Sequence, residues 1–154
     1  MKKWLVAFVV FIGLNLMGYS NSGMLGDKPP KASIKIGNKM YKTTLGSYCW
    51  DIRGRGACVD TAGPKELLEG EKPIKIKPGE KITFVMNYKP NPNEFHVIQM
   101  TENKEIEVEV ENNRFTAPTQ QGIYYYSYSV WWMDKKEVNV SHGDASYAFV
   151  LEVN

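Results

Sequence analysis

The stretch "GIYYYSYSVWW", Gly122 to Trp132, decides how this chain folds. In a β-strand successive side chains point to opposite faces. Tyr124, Tyr126, Tyr128, Val130 and Trp132 therefore share one face, and Tyr125, Ser127, Ser129 and Trp131 share the other. The first face is unbroken in its apolar bulk and predicts a core. The second mixes aromatic rings with hydroxyls and could form a flat platform for sugar rings or a protein partner. So many aromatic residues at period two suit a pleated, half-buried sheet and not a helix.

Working outward, the same alternation recurs between turn signals. "SIKI" from Ser33 meets the hairpin dipeptide Gly37-Asn38, then "KMYKTTLGSYCWDI". "IKIK" from Ile74 runs into Pro78-Gly79-Glu80 and "KITFVMNY", followed by "EFHVIQM", "EIEVEVE", "NRFTAP" and, at the end, "ASYAFVLEV" over Ala145 to Val153. "PKELLEG" is the single helical signal, with Pro64 suited to a first turn and Gly70 to a stop. About eight or nine short strands with regular turns predict an all-β, antiparallel sandwich. Glu105, Glu107, Glu109 and Glu111 line one side of their strand, where a solvated face discourages edge pairing.

Pro118, Gly122 and Tyr124 together resemble the corner of immunoglobulin-like domains, in which a tyrosine hydroxyl bonds back to the backbone. The resemblance covers Ile74 to Val153 and implies an immunoglobulin-like sandwich. Tyr126 stands where antibody domains carry a disulfide cysteine. The pattern is shared with fibronectin-type and cupredoxin-like sandwiches, so it implies a fold and not an activity.

At the N-terminus, Lys2 and Lys3 precede an apolar run from Trp4 to Met17, which reads as a secretory signal peptide over residues 1–20. "LMGY" (Leu16 to Tyr19) resembles the bacterial lipobox, with Tyr19 in the place of the lipid-bearing cysteine. A phenol cannot replace the thiolate in that chemistry, which leaves either ordinary cleavage or a retained leader that holds the protein to the membrane. Residues 21–31, small, polar and Pro-rich, read as a flexible tether, and residues 32–154 as the sandwich domain. The expected location is outside the cell or on the outer face of the cytoplasmic membrane. The whole exported part resembles uncharacterised secreted lipoproteins of Gram-positive bacteria, through "GSYCW…CVDTAGPKELLEG" and "GDASYAFVLEV". That resemblance implies a compartment and no chemistry.

Charge narrows the partners. The chain holds 19 Lys and Arg against 17 Asp and Glu, for a net charge of +2. Without Lys2 and Lys3 the exported part is neutral, and a neutral domain has no counterion-release drive towards nucleic acid. An unknown protein or a cell-wall polymer is the expected partner.

Cys49 and Cys58 are the two cysteines, with "WDIRGRGA" between them. In an exported chain they predict a disulfide across a hairpin, with Gly54 and Gly56 available for a tight return. Arg53 and Arg55 at its tip could hold a carboxylate or phosphate. With them, Tyr125 and Trp131 complete the candidate binding residues.

Catalytic and metal signatures are missing from the sequence. The histidines are His96 and His142, and there is no Gly-x-Ser-x-Gly, His-Glu-x-x-His or phosphate loop. A copper site would need cysteine where Ser127 and Ser129 stand, and Met133 precedes His142 instead of following it. His142-Gly143-Asp144 reads as a turn. The reading is therefore a non-catalytic binding module without metal or cofactor. Its alternatives are an inhibitor of an exported enzyme acting through the Cys49–Cys58 loop and a polysaccharide-binding module.

Overall fold

The computed structural model describes residue 24, residues 26–52 and residues 54–154. The leader expected over 1–20, Tyr19 and Arg53 lie outside the described residues. The elements are β1 (Ala32–Ile36), β2 (Lys39–Lys42), β3 (Thr44–Ile52), β4 (Arg55–Val59), α1 (Pro64–Leu67), β5 (Ile74–Ile76), β6 (Lys81–Met86), β7 (Glu94–Met100), β8 (Glu105–Glu107), β9 (Arg114–Thr116), β10 (Gly122–Met133) and β11 (Ser141–Val153). They form two sheets. One has four strands in the order β2-β1-β6-β9; the other has seven, ordered β4-β3-β11-β10-β7-β8 with β5 also on β11. All pairings are antiparallel except β5 with β11. The expected sandwich is present, with eleven strands where eight or nine were expected.

The surplus has physical causes. No turn dipeptide marks Thr43 within Lys39 to Ile52, yet the chain leaves one sheet for the other at that residue. There the backbone N–H and Oγ1 both donate to the Ala32 carbonyl, at 3.4 and 2.8 Å. The second addition is β4, the return of the cysteine hairpin. Conversely, "EIEVEVE" is a strand only over Glu105–Glu107. Beyond it the chain crosses towards the smaller sheet, donating from Val108 N–H to the Val97 carbonyl. Val108 and Val110 pack on the core, and the carboxylates stay outside.

The inward face of β10 is the one the alternation predicts: Tyr124, Tyr126, Tyr128, Val130 and Trp132 are all buried. Their rings interlock with the opposing sheet and with β11. Phe84 stacks on Tyr128 at 4.0 Å between centroids, Tyr126 on Phe149 at 4.8 Å, and Trp50 meets Trp132 edge-on at 5.0 Å. The corner is formed as well, for the Tyr124 hydroxyl donates to the Gln120 carbonyl at 2.9 Å.

His142-Gly143-Asp144 is not a turn but the start of β11. Gly143 lies opposite Trp50 on β3, and a Cβ there would come within 2.7 Å of the indole. The glycine is needed for close approach, which the sequence alone does not separate from a need for turning.

The residues before β1 lie against the sandwich. Met24 packs on the core, the Trp50 indole N–H donates to the Gly26 carbonyl at 3.1 Å, and the Tyr147 hydroxyl donates to the Pro30 carbonyl. The described part of the stretch expected as a tether is thus fastened along one flank.

Candidate binding end and outer sheet face

Strand direction brings the β3–β4, β6–β7 and β10–β11 connections to one end of the sandwich. In register, Trp131 lies opposite both Glu94 and Asp144, Asp144 opposite Cys49, and Cys49 opposite Cys58. That lateral row stands just inside the three connections.

Each connection is internally braced. In β3–β4 the Gly54 N–H donates to Asp51 Oδ1 at 2.7 Å, with Gly54 in the left-handed region at φ 79°. Behind it the Cys49–Cys58 disulfide joins residues directly opposite each other, with Cα atoms 4.1 Å apart. That spacing belongs to a non-hydrogen-bonded cross-strand pair, and the Cys49 N–H accordingly points the other way, to Asp144 Oδ1 at 3.3 Å. Gly56 does not share the positive φ that the sequence suggested for it.

In β6–β7, Asn93 reaches across to β10. Its Nδ2 donates to the Met133 carbonyl and its Oδ1 accepts from the Met133 N–H, at 3.0 and 2.8 Å. The Trp132 indole N–H donates to the Pro90 carbonyl at 2.7 Å.

In β10–β11, Asp134 accepts from the N–H groups of Lys136 and Glu137 and lies 2.8 Å from His142 Nε2. The Glu137 and Lys136 N–H groups, with His142, pull its carboxyl down to about 2. Val138 at the tip is 86% exposed. Asp134 organises this connection and was not among the residues expected to; an aspartate opening a polar stretch between two strands, where its side chain can bond the N–H groups two and three residues on, is the signal that could have found it.

The outward face of the seven-stranded sheet is divided. Near the far end, α1 lays Leu67 and Leu68 on Ala148, Val150 and Tyr125, and Lys65 Nζ donates to the Thr101 carbonyl at 2.6 Å. Tyr125 is thereby half-buried beneath the helix. Trp131 lies at the loop end of the same strand face and touches His96 edge-on at 5.6 Å. The two aromatic residues do not form one continuous platform. The uncovered half carries Trp131, His96, Ser129 and Asp144.

His96 is exposed and held between carboxylates. Its Nδ1 lies 2.7 Å from Glu107 Oε1, and its Nε2 lies 3.7 Å from Glu94 Oε1. The Glu107 hydrogen bond above all raises its pKa over the usual imidazole value. Asp144 is also raised, chiefly by burial, with the Cys49 N–H opposing. Arg55 is exposed on β4 and reaches none of this row's groups. Among the described residues, no group of three or more His, Cys, Asp and Glu is placed to hold a metal ion, and no helix is long and apolar enough to cross a membrane.

No protein-family model, curated protein or solved structure matches this chain.

Proposed function

We propose that this protein is an exported module that acts by binding, without catalysis, at the cell surface or after secretion, and that it does so through the loop end of the sandwich. The observation that carries the reading is the bracing of all three connections at that end, by the disulfide, the Asn93 bridge and the Asp134 turn. Loops held in one conformation lose little freedom when a partner docks, which is how a small domain gains affinity without a large interface. The exposed Arg55, Lys135 and Lys136 present cations at this end among the carboxylates of Asp51, Glu94, Asp134 and Glu137, and Val138 adds a bare apolar tip. Those three cations are the groups that would meet an anionic cell-wall polymer or an acidic protein surface.

The test is capture of the full-length chain on purified cell-wall glycan, compared with capture on the secreted proteins of the same cells. Replacing Lys135, Lys136 and Arg55 together by Glu should abolish capture, with thermal unfolding unchanged. Capture indifferent to that triple change would overturn the assignment of the loop end.

A second reading, inhibition of an exported enzyme by the Cys49–Cys58 hairpin, is favoured by one feature. All five residues of β4 are exposed, and the strand forms an outer edge of the larger sheet. A clamped edge hairpin of that kind can enter a cleft or add a strand to a partner. Inhibition of an exported enzyme that is lost on reduction of the disulfide, with no capture on glycan, would select this reading over the first.

A further inference from the structure

The inward tyrosines are not equivalent. The hydroxyl of Tyr124 bonds the Gln120 carbonyl, that of Tyr126 bonds Gln99 Oε1 at 2.8 Å, and that of Tyr147 bonds the Pro30 carbonyl. Tyr128 is as deeply placed, at 5% exposed, yet among the described residues its hydroxyl has no hydrogen-bond partner. Buried hydroxyls are almost always paired, so an unpaired one calls for an explanation. No fully enclosed side-chain nitrogen or oxygen among the described residues lacks a partner. The Tyr128 hydroxyl must therefore reach open space.

That space is a cleft of about 230 Å³ in the flank opposite the N-terminal strap, lined by Tyr128, Phe84, Phe95, Met86, Asn91 and Asn113 among others. It exists because both neighbouring edges stop short. β9 pairs with β6 only over Lys81 to Thr83, and β8 pairs with β7 only from Ile98 onward. Between those limits Phe84 and Phe95 face a gap that no strand closes.

The chemistry of the walls is specific. No charged residue lines the cleft. Phe84 covers one face of the Tyr128 ring, and Phe95, tilted at 6.3 Å from it, is partly exposed. Asn91 and Asn113 are exposed residues of the lining whose side-chain amides make no hydrogen bond to a described residue, whereas Asn93, also in the lining, is committed to Met133. An apolar cavity of about 150 Å³ holds a benzene ring, so this one has room for a single substituted ring.

We infer that this cleft is a binding site for one uncharged pyranose unit, whose apolar face lies on Phe95 and whose hydroxyls meet the Tyr128 hydroxyl and the amides of Asn91 and Asn113. A sugar matches both kinds of wall, since it has a C–H face for an aromatic ring and hydroxyls that both donate and accept. An aromatic ligand of the same size would leave the two amides unused. Burial holds the Tyr128 hydroxyl protonated, with its pKa pushed up to about 12, so it can donate at any physiological pH. The cleft adjoins the loop end through the β6–β7 connection, which supplies Asn91 and Asn93, but it uses none of Arg55, Lys135, Lys136 and Val138.

The experiment is titration of the isotope-labelled full-length chain, followed by NMR, with neutral monosaccharides and short glycans, glucuronic acid and p-cresol. Saturable shifts at Asn91, Phe95 and Asn113 are expected with at least one neutral sugar and not with glucuronic acid. Tyr128→Phe keeps the ring stack and should weaken binding by roughly tenfold, the worth of one hydrogen bond. Its melting temperature should stay near the parent's, because no protein partner is lost. Asn91→Ala should weaken binding likewise, which covers the case in which Tyr128→Phe fails to fold. Trp131→Ala, on the outer sheet face, should leave sugar binding unchanged, as should the triple Glu variant of the loop end. Binding of p-cresol alone, equal affinity in Tyr128→Phe, or no shift with any sugar would each overturn the assignment; the last would mean that the cleft holds only water.

Discussion

The Tyr124 hydroxyl donates to the carbonyl of Gln120, four residues back and 2.9 Å away, and so ties the start of β10 to the loop that leads into it. That carbonyl precedes the strand and has no ladder partner there. Tyr124→Phe should cost about 1 kcal/mol, rising towards about 3 if the stranded carbonyl stays dry. Tyr125→Phe is the comparison: it keeps the ring beneath α1 and removes a hydroxyl that makes no such bond, so little change is expected. Urea denaturation of both variants decides. Equal losses would show that the corner bond contributes nothing specific.

The disulfide should behave as a staple. Cys49 and Cys58 are nine positions apart, and closing a loop of that size is worth about 2–3 kcal/mol in the chain-entropy model. Intact mass should show two hydrogens fewer than the dithiol, and reduction should lower the melting temperature. Two thiols that alkylate readily in the native protein would contradict this.

Gly143→Ala places a methyl group against the Trp50 indole at a distance real side chains do not tolerate. Trp50 is buried against Trp132 and Tyr88 and has little room to give way. Overpacking of this kind costs about 1–3 kcal/mol, and the tryptophan emission should shift as the cluster rearranges. Unaltered stability would mean that β11 slides to admit the methyl.

Two ionisable groups should move stability in opposite pH windows. Asp134 is lowered to about 2, so its contribution is complete above the usual carboxylate value of 3.8 and is lost as pH falls through about 2. His96 is raised above 6.5, so its contribution is complete below 6.5 and is lost as pH rises through its folded value. Both groups are near the surface and the effects are small in energy. They are best read by NMR: the His96 midpoint should lie above 6.5 and return towards it in Glu107→Gln, and amide protection in residues 135–140, measured against intrinsic exchange at each pH, should fall as pH drops through about 2. A His96 midpoint below 6.5 would contradict the pairing.

The inward face of β10, the corner and the cysteine hairpin were legible because each is local. Alternation assigns faces, Pro118 to Tyr124 spans one corner, and Cys49 and Cys58 lie within one hairpin. What was not legible depends on distant chain. Nothing in "KMYKTTLGSYCWDI" marks Thr43 as the point of departure, since its anchor is the carbonyl of Ala32. Nothing around Tyr125 shows that Leu67 and Leu68 return to cover it, so the proposed aromatic platform is divided by a helix that the sequence did locate correctly. The Tyr128 cleft was invisible for the same reason. It is an absence of strand, set by how far β8 and β9 extend, and no residue within it signals that its neighbours end early.

The strap that runs from Met24 to Pro30 gives the molecule a polarity. Because Gly26 is held at Trp50, the polypeptide enters at the same end that carries the braced connections. The apolar run read as a leader ends at Met17, and only the six residues from Gly18 to Gly23 separate it from Met24. If that run is kept as an anchor, the short link to Met24 keeps the loop end, and not the far end, nearer the bilayer. If it is cleaved, nothing ties that end to a membrane. The one processing event would then decide whether the loop end looks at the cell's own surface or at everything else.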